Sequence, residues 1–216
     1  MAEVHQNVLL VEGKQEVRVI PELIEANGVD WGTKRNPVVY LRDYDGYQPL
    51  VDADVIATEL QASKLSALGI MIDADYNLEG RWQSVRNACL KSIPDIPEVL
   101  PEEGLIHMAP NGVKFGIWVM PDNRTHGMLE TFLAYMIPND SEPLWQFSQE
   151  TTTEAKKRGA SFIDAHYDKA SIYTWLAWQK SPGQQLHQAI MQKILNPLHP
   201  NGQKFVRWFK TLYNLA

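Results

Sequence analysis

The sequence predicts an α/β protein: a parallel sheet of about four strands with helices on both faces, followed by a helical C-terminal extension. Three observations predict it. Short apolar runs alternate with longer amphipathic stretches over the first 120 residues. The runs are continuous rather than alternating, the pattern of strands covered on both faces. Beyond about residue 125 the apolar residues recur only at three- and four-residue spacing. The division expected is a core over residues 1–125 and an extension over 126–216 packed on it.

The elements follow in order. Asn7-Val-Leu-Leu-Val11 puts four apolar residues behind a polar start, the signature of a buried strand. Val17, Ile20, Leu23 and Ile24 then share one helical face, and Asn27-Gly28 stops that helix. Pro37–Leu41 is the second expected strand, with a turn at Asp45-Gly46. Val55–Leu65 reads as a helix, Leu68–Ile72 as the third strand and Arg81–Ile93 as the next helix. Pro94, Pro97 and Pro101 make a loop. Val113–Met120 is the fourth strand, ended by Pro121-Asp-Asn123. In the extension, Leu129, Phe132, Leu133 and Met136 form one apolar stripe, and Phe205, Trp208, Phe209 and Leu212 another. Ile172, Trp175 and Leu176 form a third, and Trp175 and Trp178 are expected in the core.

Composition narrows the function classes. Hydrophobic residues make up 44% and charged residues 21% of the 216, an ordinary globular balance. No apolar run approaches the roughly 18 residues of a membrane span, and the N-terminal stretch from Met1 has no basic start or apolar signal region. A single cysteine, Cys89, excludes an internal disulfide and a cysteine-based zinc cluster. These features predict a cytoplasmic protein without membrane association. The net charge of −6 is uneven: residues 151–216 carry nine Lys or Arg against three acids, a balance of +6 that leaves −12 on residues 1–150. Such an imbalance marks either two halves that attract each other or a basic nucleic-acid surface beside an acidic cation site. No nucleotide-binding Gly-x4-Gly-Lys-Ser/Thr loop, no His-Glu-x-x-His and no zinc spacing among the six histidines is present.

The chemistry sits at strand ends. Leu9-Leu-Val-Glu-Gly-Lys-Gln-Glu16 places Glu12 after a strand, Gly13 where the chain must turn and Glu16 one helical turn on. Leu68-Gly-Ile-Met-Ile-Asp-Ala-Asp75 places two aspartates two residues apart after another strand, where extended backbone aims both the same way. In a parallel sheet, ligands bind outside the carboxyl ends of the strands. Carboxylate oxygens suit a hard divalent cation, which also relieves their mutual repulsion. Taken singly, each acid has a second reading as a helix cap or a first-turn carboxylate favoured by the helix dipole.

The segments "LLVEGKQEV" and "GIMIDADYN" resemble the toprim domain of topoisomerases, bacterial primases, ribosomal RNA maturases and nucleases of the overcoming-lysogenization-defect family. The resemblance covers about residues 5–125 and implies a Rossmannoid core. It carries the family glutamate onto Glu12, its aspartate pair onto Asp73 and Asp75, and a further acid of the nuclease branch onto Glu16. It implies Mg2+ or Mn2+ as cofactor. In that light Glu130, at the start of a helix after Gly127, is a candidate for a further ligand or for a hydrogen bond to a metal water. Its other reading is a first-turn glutamate favoured by the helix dipole. Lys14, Arg81 and Arg124 are the candidates for binding phosphate oxygens. Asp122, at the end of the fourth strand, is aimed towards the site by topology, and Lys169 is a candidate for stabilising developing negative charge. The remaining chain, with "IWVMPDNRTHGMLETFL", is similar to stand-alone toprim-like proteins that resemble partners of separately encoded ATPases.

The function expected is metal-dependent cleavage of phosphodiester bonds. One ion would sit on Glu12, Asp73 and Asp75, and a second about 4 Å away would involve Glu16 and Glu130. Glu12 has an alternative role as general base. The expected partner is nucleic acid tracked by the basic C-terminal helices, with an ATPase or a second copy of the chain as further candidates. Two rivals remain. In a haloacid-dehalogenase-type phosphatase Asp73 would be the nucleophile, although that motif normally opens the domain and continues to Thr or Val rather than Tyr76-Asn77. In a non-catalytic or conditionally active subunit the metal site would be silent until assembly with an ATPase.

Overall fold

The computed structural model describes residues 5–216; the expected lack of a signal region concerns, in part, residues 1–4, which lie outside the described residues. In chain order the elements are β1 (Asn7–Val11), α1 (Lys14–Ala26), β2 (Gly32–Thr33), β3 (Asn36–Pro37), β4 (Tyr40–Asp43), α2 (Tyr47–Leu50), α3 (Ala53–Leu60), β5 (Ala67–Asp73), α4 (Leu78–Cys89), β6 (Leu105–Met108) and β7 (Lys114–Met120). The rest is helical: α5 (Leu129–Ala134), α6 (Glu142–Lys157), α7 (Tyr167–Ala177), α8 (Leu186–Met191) and α9 (Gln203–Tyr213).

The fold is α/β, with one mostly parallel sheet of five strands in the order β4–β1–β5–β7–β6. β1 runs parallel to both β4 and β5, and β5 runs parallel to β7. The strand beyond the four expected is β6, which pairs antiparallel with β7 at the edge. Leu105-Ile-His-Met108 is short and mixed in polarity, and an antiparallel neighbour needs only a turn, here closed by Gly112 N–H donating to the Ala109 carbonyl at 2.8 Å. The second strand lies at Tyr40–Asp43, later than expected from Pro37. Pro37 has no N–H for a central ladder, and Asn36–Pro37 pairs instead with Gly32–Thr33 in a small hairpin. Helix starts also move to their caps. Asp52 accepts from the Asp54 and Val55 amides and starts α3 before Val55, while Asn77 accepts from the Gly80 amide and starts α4 before Arg81.

Alternation along the strands builds a core on each face. Val8 and Leu10 of β1, Leu68, Ile70 and Ile72 of β5, and Phe115, Ile117 and Val119 of β7 pack towards α3 and α4. Leu9 and Val11, Met71, and Trp118 and Met120 point the other way, towards α1 and the C-terminal helices. Two glycines in the central strands let α9 lie directly on the sheet. A Cβ at Gly69 would sit 2.4 Å from Tyr213 Oη, and one at Gly116 would sit 2.7 Å from Leu212. Tyr213 Oη donates to the Val8 carbonyl at 2.8 Å, tying the end of the chain to β1. All the stripe residues expected in the extension are buried, Trp175 among them. Trp178 corrects that reading: it is 39% exposed and stacks on exposed Phe147, because it follows the last residue of α7 and leaves its buried face.

Connectivity sets where a site can form. From β1 the chain crosses on the α1 face to β4; from β5 it crosses on the α4 face towards β7. The two connections leave in opposite directions, so a crevice opens between the carboxyl ends of β1 and β5. Glu12 and Asp73 stand at that crevice. Among the described residues, no helix is long and apolar enough to cross a membrane.

Candidate metal centre

The crevice is a cavity of about 310 Å3 lined by Glu12, Glu16, Asp73, Asp75 and Glu130, with Lys169 beside them. Four separate segments deliver the five acids: the β1–α1 junction, the first turn of α1, the end of β5 with its following turn, and the start of α5. Glu12 Oε1 accepts from the Asp73 amide at 2.8 Å, so the two strand ends are in direct contact. Asp73 Oδ1 accepts from the Leu129 amide at 3.1 Å, which docks the start of α5 against the strand end.

The turn after β5 departs from the extended geometry expected of Asp73 and Asp75. Asp75 has φ 47°, in the left-handed region, and exchanges two backbone hydrogen bonds with Gly127 at 2.8 and 2.9 Å. That clamp turns Asp75 towards Arg81, with which it forms an ion pair. Both aspartates still line the cavity, but a turn rather than strand alternation brings them there. Gly13 also corrects its reading: its φ of −160° is extended backbone open to any residue, so the turn into α1 does not depend on glycine.

Electrostatics in the cavity is unbalanced. Five carboxylates meet two ion-pair partners, Arg81 on Asp75 and Lys169 Nζ at 3.0 Å from Glu130 Oε1. Burial raises the Glu12 carboxyl from 4.5 to about 7, the Asp75 and Glu16 charges add to the rise, and the Asp73 amide and Arg81 oppose it. Asp73 is pushed well above the ordinary aspartate range, first by burial and then by Glu12, Glu16, Glu130 and Asp75. Glu16, 7% exposed, is raised by burial and by Glu130, with Lys169 opposing. Glu130 is 3% exposed, and its Oε1 has no well-aligned hydrogen-bond donor.

This donor set fits a hard divalent cation: it is all carboxylate oxygen, buried, and short of positive charge. Among the described residues no three acids are already closed around one point. Asp75 is engaged by Arg81 and Glu130 by Lys169, so each would have to turn from its cation to reach a shared ion.

The other candidates divide. Arg81 is at the site, its guanidinium 3.6 Å above the Tyr47 ring. Lys169 is inside it. Lys14 is an exposed residue at the start of α1 and does not line the cavity. Arg124 pairs with Glu102 at 3.3 Å on the surface. Asp122 is absorbed by its own turn, accepting from the Arg124 and Thr125 amides and from Tyr135 Oη. Two further polar residues line the cavity without having been singled out in the sequence. Gln15 donates to Tyr173 Oη at 3.1 Å while its buried Oε1 has no hydrogen-bond partner among the described residues, and His166 precedes α7. Gln15 lies between the two glutamates of the first motif, which is the only signal that points to it; His166 has none. A larger hollow of about 690 Å3 lies at the other end of α1, near Glu25 and Leu198, away from the strand ends.

Comparison with known proteins gives three results. None of the curated proteins compared matches the chain. Two solved structures of the C-terminal region of the Xanthomonas campestris pv. campestris OLD protein, one phased with mercury and one with platinum, each share 16% identity at a TM-score of 0.37. The first alignment covers 98% of this chain and 86% of that one; the second covers 95% and 83%. A family model described as "Protein of unknown function (DUF3226)" matches residues 6–214, and the chain therefore belongs to the DUF3226 family.

Proposed function

We propose that this protein is a divalent-metal-dependent phosphodiester hydrolase acting on nucleic acid, with Glu12, Asp73 and Asp75 as the principal ligands of Mg2+ or Mn2+. The observation that carries the reading is the gathering of five acids from four segments in one cavity at the topological switch point, against two cations. The toprim-like motif residues are among those five. Glu16 and Glu130 extend the donor set on the α1 side.

Mg2+ or Mn2+ bound there would offset the negative charge of a phosphoryl oxygen in the transition state. The chain's own groups have separable tasks. In the alternative role, in which Glu12 does not hold the ion, Oε1 accepts from the Asp73 amide and Oε2 would take a proton from an attacking water, a step suited to a carboxyl raised to about 7. Lys169, beside Glu130 at the cavity wall, has its ammonium within the space a phosphate would enter. The clamp between Asp75 and Gly127 fixes the turn that presents Asp75.

The test is Mn2+ binding and cleavage of single- and double-stranded DNA and RNA by purified protein, with Glu12→Gln and Asp73→Ala. Loss of both binding and cleavage in each variant, with unchanged circular dichroism, is expected. Cleavage at the wild-type rate by either variant would remove the proposal. A second reading, a subunit whose site is completed by a partner such as an ATPase, is favoured by the engagement of Asp75 with Arg81. Metal binding without cleavage, followed by cleavage on adding the partner, would select it.

A further inference from the structure

Two expected ligands already carry a counter-charge, Glu130 on Lys169 and Asp75 on Arg81, and the second pair joins the turn after β5 to α4. Arg81 comes from the first turns of α4, six residues along the chain, and its pair with Asp75 is mostly shielded, with side chains 22% and 31% exposed. Two contacts and one longer-range charge effect tie the arginine to the site. Its guanidinium bonds the Asp75 carboxylate, lies 3.6 Å from the centre of the Tyr47 ring on α2, and acts on Glu12, whose proton affinity it lowers. The aspartate is held equally firmly, since its backbone is clamped to Gly127 in a left-handed conformation. A guanidinium offers only donors and no lone pair, so it cannot share a carboxylate oxygen with a metal by bridging as a ligand. Arg81 bonds Asp75 at Oδ2, so a cation that takes that oxygen displaces the guanidinium, and one held by Oδ1 still meets its charge.

We infer that Arg81 is a resident counter-ion of the carboxylate cluster, exchanged for the divalent cation, and that the released guanidinium then serves as a phosphate-binding group at the cavity mouth. The inference rests on the metal-site reading and adds a second state for one residue of it. In the metal-free protein Arg81 offsets part of the acid excess. With the ion in place that task lapses, and the arginine swings about its Tyr47 platform to face incoming phosphate. A guanidinium matches two phosphate oxygens at once, which a point-charge lysine does not.

Direct binding reads this out. Mn2+ affinity is measured by electron paramagnetic resonance for the wild type, Arg81→Gln and Arg81→Lys, and the Arg81 Nε–H signal of the wild type is followed by NMR during Mg2+ titration. Removing the competing charge is expected to tighten Mn2+ binding roughly five- to tenfold in Arg81→Gln. Arg81→Lys, which keeps charge but loses the fork and the ring stacking, is expected to fall between the two. The Arg81 signal should shift with the same midpoint as metal binding. In the loaded state, Arg81→Gln should bind a phosphorylated oligonucleotide several-fold more weakly than wild type. Unchanged or weaker Mn2+ binding in Arg81→Gln beside a wild type that binds would overturn the exchange and leave the metal site standing. Absence of Mn2+ binding in both proteins would overturn the exchange and the metal-site reading together.

Discussion

Two buried acidic clusters in this molecule solve opposite problems. At the β4 edge, Glu59 of α3 is 6% exposed and has two partners to itself: the Arg42 guanidinium and Tyr44 Oη, the latter at 2.7 Å. One carboxylate with one cation and one hydroxyl is a closed account of charge and hydrogen bonds, and its effect is to fasten an edge strand to the helix beneath it. At the switch point, five carboxylates share Arg81 and Lys169. Folding gains nothing from collecting that excess; it raises proton affinities and costs stability. A satisfied cluster is architecture, whereas an unsatisfied one of this size is what the metal-site proposal rests on.

The sharpest way to break the comparison is to neutralise one acid in each. On the proposed metal-site reading, Asp73→Asn should lower Mn2+ affinity by more than the roughly 10- to 100-fold typical of an outer-shell partner, while Glu59→Gln should leave it within about twofold. Equal losses in the two variants, measured by titration calorimetry, would mean that the distinction between the clusters is false.

Stability should move in opposite directions. Glu59→Ala leaves Arg42 and Tyr44 without their shared acceptor and should cost about 2 kcal/mol, discounted because the Arg42 side chain is 41% exposed. Asp73→Asn removes a carboxyl whose proton affinity burial and the neighbouring acids raise, while an amide oxygen can still accept from Leu129 N–H. It should stabilise the metal-free protein near pH 7.5. Urea unfolding in EDTA checks both signs.

The same contrast explains what the sequence revealed. Glu12, Glu16, Asp73 and Asp75 were legible because each follows an apolar strand, and strand ends in a parallel sheet meet on one edge. The Glu59 cluster was not legible, because Arg42, Tyr44 and Glu59 come together only through the packing of α3 on β4, and no spacing encodes it. Asp122 misled for a related reason: it sits at a strand end, yet the amides of its own turn capture it. β6 escaped notice because an edge strand does not need a continuous apolar run. The stripes of α5, α7 and α9 were clear from helical spacing, but the sequence holds no sign that Gly69 and Gly116 make the bed on which α9 lies.

pH separates the clusters further. Glu12 keeps its proton in the folded protein up to about 7, whereas the unfolded chain releases it near 4.5. Between these values the native state binds more protons than the unfolded one, so stability falls as pH rises through that window; it is fully present below 4.5 and lost above 7. The Tyr44 hydroxyl, raised from 10 to about 12 by burial and by Glu59, gives a loss of the same sign at alkaline pH. Metal-free protein should therefore lose up to about 2 kcal/mol between pH 5 and pH 7.5, and saturating Mg2+ should restore it at the higher pH with release of protons. If EDTA-treated protein is equally stable at both values, the excess charge is relieved in some other way and the contrast weakens.

The smallest effects belong to cations that share the surface but not the cavity. Lys14 is exposed at the start of α1, and Arg124 is turned to Glu102. Neither is packed against a site acid, and water and salt screen exposed charges over about 8–10 Å. Lys14→Ala and Arg124→Ala should each change Mn2+ affinity by less than about twofold at 0.15 M salt, in contrast to Arg81→Gln. Any contribution they make should appear instead as a shallower salt dependence of oligonucleotide binding, with the log–log slope reduced by about 1 for each phosphate contact removed. A tenfold change in metal affinity from either substitution would extend the unbalanced cluster out to the surface, and its confinement to the strand ends would no longer distinguish it from the sealed pair at Glu59.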